Sequence, residues 1–388
     1  MGIKKSNLYI KSIFWILMAF SLYGCNTKRN IDESESAPSN TAFEDRIIPK
    51  YASKFHVTYG KGFKYVEIPE PYKGAGQGLK YLLVPKGTEA PDSITTIKIP
   101  IETMVCTSTT HIPFLDMLEE VGKLTGFPNT GLVSNEKVNN GVEKGEIVEL
   151  GLKDQLNVET LLNLAPSTVF AYTYNAQNQN LDNITKAGIP VVFTAEYLEE
   201  TPLGRAEWIK FISLFFNKEK EADSIFTAVE EKYLNLQSIA TAVEKKPTVF
   251  TGIDYNGTWY MPGGNSFIGN WLADAGAQYL WHSDQQSGSL PLSFETVYDR
   301  AYQADYWLNI STFNTREELS QSDDRYQKFK AFETGQLYNY SVRINENGGN
   351  DYFEAGVARP DIVLKDLIKI FHPDLLPDHK LYFYQKLK

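Results

Sequence analysis

The chain has 388 residues, 42% of them hydrophobic and 22% charged, with 38 basic against 48 acidic side chains and a net charge of -10. That length suggests two or three domains, and the composition excludes long-range disorder and collagen-like repeats. So acidic a chain is unsuited to coating a phosphate backbone, and nucleic acid is not an expected partner.

Residues 1–25 read as a leader. Lys4, Lys5 and Lys11 precede an apolar stretch from Ile13 to Leu22 that is too short to span a bilayer as a mature helix. The stretch ends Leu22-Tyr23-Gly24-Cys25, and a small residue directly before a cysteine resembles a bacterial lipobox. Lipidation of Cys25 would place the mature protein in an extracytoplasmic space, anchored to a membrane. Cys106 is then left without a disulfide partner, and its place at the end of an apolar run predicts burial.

Residues 26–46 are polar and predict a flexible tether. Residues 47–96 hold short alternating runs such as Lys64-Tyr65-Val66-Glu67-Ile68, separated by Gly- and Pro-rich turns. They predict a small β extension of two or three antiparallel strands. Gly74-Ala75-Gly76-Gln77-Gly78 lacks the last glycine of a dinucleotide fingerprint and runs into a strand pattern, so it reads as a turn.

From Ile97 onward strands alternate with helix-length segments, which argues for parallel α/β lobes. In residues 97–217 the apolar run Ile97–Val105 predicts a strand. A helix follows with Phe114, Leu115, Leu118, Val121 and Leu124 on one face. Asn157 then caps a helix, Thr168–Ala171 is a strand, a helix near Leu181–Ala187 stops at Gly188, and Ile189–Phe193 is a strand. Thr201-Pro202 opens another helix. Residues 218–243 predict one long helix of roughly 37 Å, a stiff bridge. In residues 247–388 the alternation resumes: strand Thr248–Ile253, helix Ser266–Ala275, helix Phe294–Ala301, strand Tyr306–Ile310, and a last helix from Ala358 to Phe371. The expected fold class is α/β: two Rossmann-like lobes joined by a long rigid helix, with a small N-terminal β extension.

The lobes share an echo, Leu156-Asn157-Val158-Glu159-Thr160-Leu161 and Leu292-Ser293-Phe294-Glu295-Thr296-Val297. Each places a Glu in a capped first turn, where carboxylates also stabilise the helix dipole. With Leu164-Ala165-Pro166-Ser167-Thr168-Val169, Ala187-Gly188-Ile189-Pro190-Val191-Val192 and Ala273-Asp274-Ala275-Gly276-Ala277, this order resembles the type III substrate-binding proteins of bacterial importers for iron complexes and vitamin B12. The resemblance covers roughly residues 97–372; Ser167 stands where that family usually has Asp, and residues 47–96 have no recognised counterpart. It implies a ligand held between the lobes, a membrane permease dimer as partner, and docking through Glu159 and Glu295.

Enzyme signatures are missing. Gly264-Asn265-Ser266-Phe267 fails as a nucleophile elbow at Ile268, no phosphate loop appears, and the histidines at 56, 111, 282, 372 and 379 are scattered. No catalytic residue, metal site or cofactor is expected. Ligands of α/β lobes bind at the carboxyl ends of strands, a rule that picks out Thr107–His111, Tyr172, Tyr174, Tyr197 and Tyr255–Tyr260 and admits Trp281, His282 and Asn345–Tyr352. The ligand-binding candidates among them are Thr109, His111, Tyr172, Tyr174, Tyr255, Trp259, Tyr260 and Trp281. Aromatics with amides and hydroxyls suit a macrocycle or an aryl chelate. The expected function is capture of an iron complex, of siderophore or haem type, by a monomeric importer lipoprotein. A corrinoid ligand, or surface capture without a permease, is the alternative.

Overall fold

The computed structural model describes residues 43, 45–89, 91, 93–152, 155–175 and 177–388. The leader, Cys25 and most of the expected tether lie outside the described residues. All the described residues belong to one compact unit.

Four strands form the N-terminal sheet: β1 (His56–Gly60), β2 (Phe63–Ile68), β3 (Leu79–Pro85) and β4 (Thr95–Ile99). They lie in chain order, β1 to β3 antiparallel and β4 parallel to β3. The expected antiparallel strands thus gain a parallel fourth. It takes the first half of the run assigned to the lobe, because Pro100, with no N–H to give a ladder, interrupts that run.

The first lobe holds β5 (Met104–Cys106), β6 (Leu124–Phe127), β7 (Val148–Glu149), β8 (Thr168–Ala171) and β9 (Val191–Phe193). All pair in parallel, in the order β7-β6-β5-β8-β9. β8 is buried at every position, as a strand covered on both faces must be. The helix expected through Leu124 stops early. It spans Ile112–Met117, Glu119 turns left-handed at φ 59°, and Leu124 begins β6.

The second lobe holds β10 (Thr248–Thr251), β11 (Asp254–Tyr255), β12 (Thr258–Pro262), β13 (Gln278–Tyr279), β14 (Ser289–Leu292), β15 (Tyr306–Leu308), β16 (Leu337–Asn339) and β17 (Gln385–Lys386). Its main sheet runs β13-β10-β15-β16-β17, with β17 antiparallel. The cores β6-β5-β8-β9 and β13-β10-β15-β16 therefore repeat one parallel topology. A separate antiparallel sheet, β11-β12-β14, is built from the segment after β10.

A single helix, Glu219–Thr241, bridges the lobes over about 34 Å at 1.5 Å per residue. Both ends are tied down. At its start the buried Lys64 of β2 pairs with Glu219 and donates to the carbonyl of Leu214 (2.9 Å) and to Asn217 (2.8 Å). Toward its end Tyr233 and Gln237 donate to the two oxygens of Asp274 in the second lobe, at 2.6 and 2.7 Å. The segment before β1 is strapped to the first lobe by two buried carboxylates. Glu207 accepts from the backbone N–H groups of Lys50, Tyr51 and Ala52, and Glu199 from those of Ser53 and Lys54.

Candidate ligand-binding cleft

The loops after β5, β8 and β9 lie side by side, because their strands are neighbours in one parallel sheet. Three tyrosines gather there. Tyr172, Tyr174 and Tyr197 pack edge to face, with centroids 5.4 Å apart for 172–174 and 174–197 and 6.4 Å for 172–197. Tyr174 is 66% exposed. The Tyr197 hydroxyl donates to the Thr173 carbonyl at 2.8 Å. Burial pushes it up to about 12, with Tyr174, Glu196 and Glu70 adding to the rise.

Beneath the rings is a polar floor. His111 is buried, its Nε2 2.8 Å from the Thr194 hydroxyl and its Nδ1 without a hydrogen-bond partner among the described residues. Burial pushes its imidazole down, so the ring is neutral at neutral pH. Glu196 accepts from the Thr110 hydroxyl at 2.6 Å, and its second oxygen is buried without a partner. Thr109 is half-buried in the turn capped by Ser108. Arg205 completes the floor. It donates to the Tyr197 carbonyl at 2.6 Å, and its guanidinium carbon lies 3.4 Å from the ring centroid of Phe267 in the other lobe. Burial pushes Arg205 down to about 10, which leaves it charged at neutral pH.

Elsewhere the lobes meet through the loop after β16. Asn345 donates to the carbonyls of Gly131 and Val133 at 3.0 and 3.2 Å, and Ser134 N–H donates to Glu354 at 2.8 Å. A cavity of about 670 Å³ opens beside these contacts, lined by Thr130, Ser134, Asn139, Arg343, Asn345 and Asp351 among others.

On the second lobe, Tyr255 and Tyr260 are 67% and 55% exposed on the β11–β12 hairpin. Its two-residue turn, Asn256-Gly257, has positive φ at both positions (53° and 84°), which suits the twist of a tight hairpin. Trp259 is not with them. Alternation along β12 turns Tyr260 outward and Trp259 and Met261 into the core, both fully buried. The indole of Trp259 donates to the Thr251 carbonyl at 2.8 Å and sits among Phe250, Phe294, Trp307, Tyr326 and Phe329. Trp281 is also buried, with Arg300 over its ring at 5.0 Å. These two tryptophans are core residues, which corrects their placement at the ligand. Arg205 and Glu196, by contrast, escaped the strand-end selection. Their place on the floor depends on contacts with the other lobe and with Thr110, which local pattern does not encode.

Glu159 and Glu295 are exposed in first turns capped by Asn157 (to Thr160 N–H, 3.0 Å) and Ser293 (to Thr296 N–H, 3.2 Å). Their helices, Val158–Leu164 and Phe294–Ala301, precede the matching strands β8 and β15. Glu295 also lies 3.7 Å from Arg325, a long contact between exposed groups.

A sequence profile described as a periplasmic binding protein matches residues 104–342, more than half of the chain. The chain belongs to the periplasmic binding protein family. Two uncharacterized lipoproteins of Methanocaldococcus jannaschii are 26% and 27% identical to this binding protein over 96% and 98% of its length and 95% and 99% of theirs. The 98% match leaves too little uncovered to omit the N-terminal sheet, which the family profile does not reach. Solved folds agree. A periplasmic haem-binding protein of Pseudomonas aeruginosa has a TM-score of 0.56 at 15% identity, covering 74% of this chain and 98% of that one. A possible iron-binding protein of Staphylococcus epidermidis has a TM-score of 0.54 at 18% identity, covering 70% and 98%. Among the described residues no group of three or more His, Cys, Asp or Glu side chains could hold a bare metal ion, and no helix is long and apolar enough to cross a membrane.

Proposed function

We propose that this binding protein captures an iron complex, of siderophore or haem type, between its lobes and delivers it to a membrane permease. The observation that carries the reading is the tyrosine cluster Tyr172, Tyr174 and Tyr197 beside the charged, half-buried Arg205. Such a surface stacks on a flat or aryl ligand and orients it through a few polar groups. The exposed Tyr255 and Tyr260 would close on the ligand from the second lobe. Neighbours of the same fold whose names give haem or iron as ligand support the choice. Binding without turnover is proposed, since the family is one of binding proteins. Titrating intrinsic fluorescence with haemin, cobalamin, a ferric tris-catecholate and a ferric tris-hydroxamate tests it. Saturable quenching by an iron complex supports the reading; silence to all four, or turnover of a small substrate, overturns it.

The repeated topology supports the proposed delivery, because it gives each lobe an equivalent helix start. Glu159 and Glu295 would each place one carboxylate per lobe for permease arginines, at a separation the bridging helix keeps nearly constant. Glu159→Ala/Glu295→Ala should abolish uptake and leave ligand affinity and folding intact; normal uptake by the double variant would reduce both residues to helix-start stabilisers. Cys25 would carry the lipid anchor, as the lipoprotein names of the long relatives suggest. Labelled palmitate should enter the wild type and not Cys25→Ser.

A further inference from the structure

The N-terminal sheet lies outside the stretch that matches the family profile, yet one of its loops reaches the cleft. The loop between β2 and β3 begins at Pro69 and ends at Gly78. Its tip is a turn closed by Ala75 N–H to the Tyr72 carbonyl at 3.0 Å, with Gly74 at φ 79° in the third position. A side chain would be strained at that φ, so glycine there lets the turn place Lys73 at its apex. The loop is braced by Glu70, which accepts from Gly74 N–H at 2.9 Å and pairs with Lys54 at 3.4 Å.

Lys73 touches both lobes. Its backbone N–H lies against the hydroxyl of Tyr197 in the tyrosine cluster. Its ammonium reaches across to Gly288, where a Cβ atom would lie 3.1 Å from Nζ. Gly288 directly precedes β14, which pairs with the strand that carries Tyr260. Lys73 thus stands between the two exposed aromatic surfaces. Among the described residues no carboxylate forms an ion pair with it; the loop's own acid, Glu70, pairs with Lys54 and feels the Lys73 charge only at longer range. Behind the loop a cavity of about 370 Å³ separates Pro71, Tyr72 and Leu79 from Thr173, Asn175 and Phe193, so the loop stands off the lobe there.

We propose that this loop is a third wall of the cleft and that Lys73 reads an anionic group on the ligand, selecting negatively charged iron complexes over neutral ones. The inference rests on the proposed function and narrows its substrate class. With Arg205 on the floor, two cations flank the tyrosines, and a stacked ligand with carboxylate or catecholate oxygens at its edge would meet one at each side. A charge-assisted hydrogen bond rewards that arrangement and a neutral ligand forfeits it.

Four probes test it on the full mature chain. Haemin and a ferric tris-catecholate carry negative charge; haemin dimethyl ester and a ferric tris-hydroxamate carry none at the ligand edge. The wild type should prefer the charged probes. Lys73→Glu should bind them about tenfold or more weakly, with Lys73→Arg restoring most of the affinity and neither change altering circular dichroism. Preference of the wild type for the uncharged probes would overturn the inference and leave the proposed function standing. Equal affinity of wild type and Lys73→Glu for haemin, or an equal loss for haemin and its dimethyl ester, would overturn it too. Failure of the wild type to bind any of the four would overturn both readings.

Discussion

The two lobes repeat one parallel topology and use their aromatic residues in opposite ways. In the first lobe Tyr172, Tyr174 and Tyr197 follow the last residues of β8 and β9, where the chain has left the sheet, and pack on one another. In the second, Trp259 lies within β12 and Trp307 within β15, and both are driven into a cluster with Phe250 and Phe329. A shift of one or two residues relative to a strand end decides whether a large ring stands at the end of the sheet or packs in the core.

The largest expected effect breaks the second lobe. Trp259→Ala should cost about 3–5 kcal/mol of stability, as large aromatic truncations in cores do, read as a lowered urea midpoint. Ligand affinity of the molecules that remain folded should be unchanged; an affinity loss with normal stability would return Trp259 to the cleft.

The next prediction concerns the contact that joins the lobes. Burial, with Asp351 and Asp116 nearby, pushes Glu354 up to about 7, although Ser134 N–H opposes the rise. The folded state then holds a proton that the unfolded state releases at its ordinary carboxyl value. Stability should therefore fall as pH rises from the usual carboxylate range to about 7, by on the order of 2–3 kcal/mol. Glu354→Gln should flatten that slope; a slope unchanged in the variant would assign it to other groups.

Tyr174→Ala is the counterpart of the tryptophan change. It should weaken ligand binding by about 1–3 kcal/mol and leave the urea midpoint in place, because the ring is exposed. The smallest effect is expected at Glu295→Ala taken alone. Its 3.7 Å contact with Arg325 is exposed, so stability should move by about 0–1 kcal/mol.

Local signals carried much of the fold. Asn157 as a cap, Thr168–Ala171 as a strand, Ser293 with the helix Phe294–Ala301, and the long bridging helix were all legible, because each rests on neighbouring residues. What failed depended on single backbone events or distant partners. The left-handed turn at Glu119 ended a helix whose apolar spacing ran on to Leu124. At Trp259 the turn and glycine signals on either side outweighed the strand alternation that predicts burial. The strand-end rule finds the tyrosines gathered after β8 and β9 because it reads only side chains that follow strands. Arg205, Glu196 and Lys73 are placed by contacts with Phe267, Thr110 and Gly288, which lie far away in sequence.

The central claim is that one ligand sits between the first lobe's tyrosines and the second lobe's hairpin. Hydrogen–deuterium exchange with and without saturating haemin measures this at both surfaces at once. The account predicts slowed exchange in residues 172–175 and also in residues 254–260. Protection confined to one lobe, or at neither segment while haemin is bound, would contradict it.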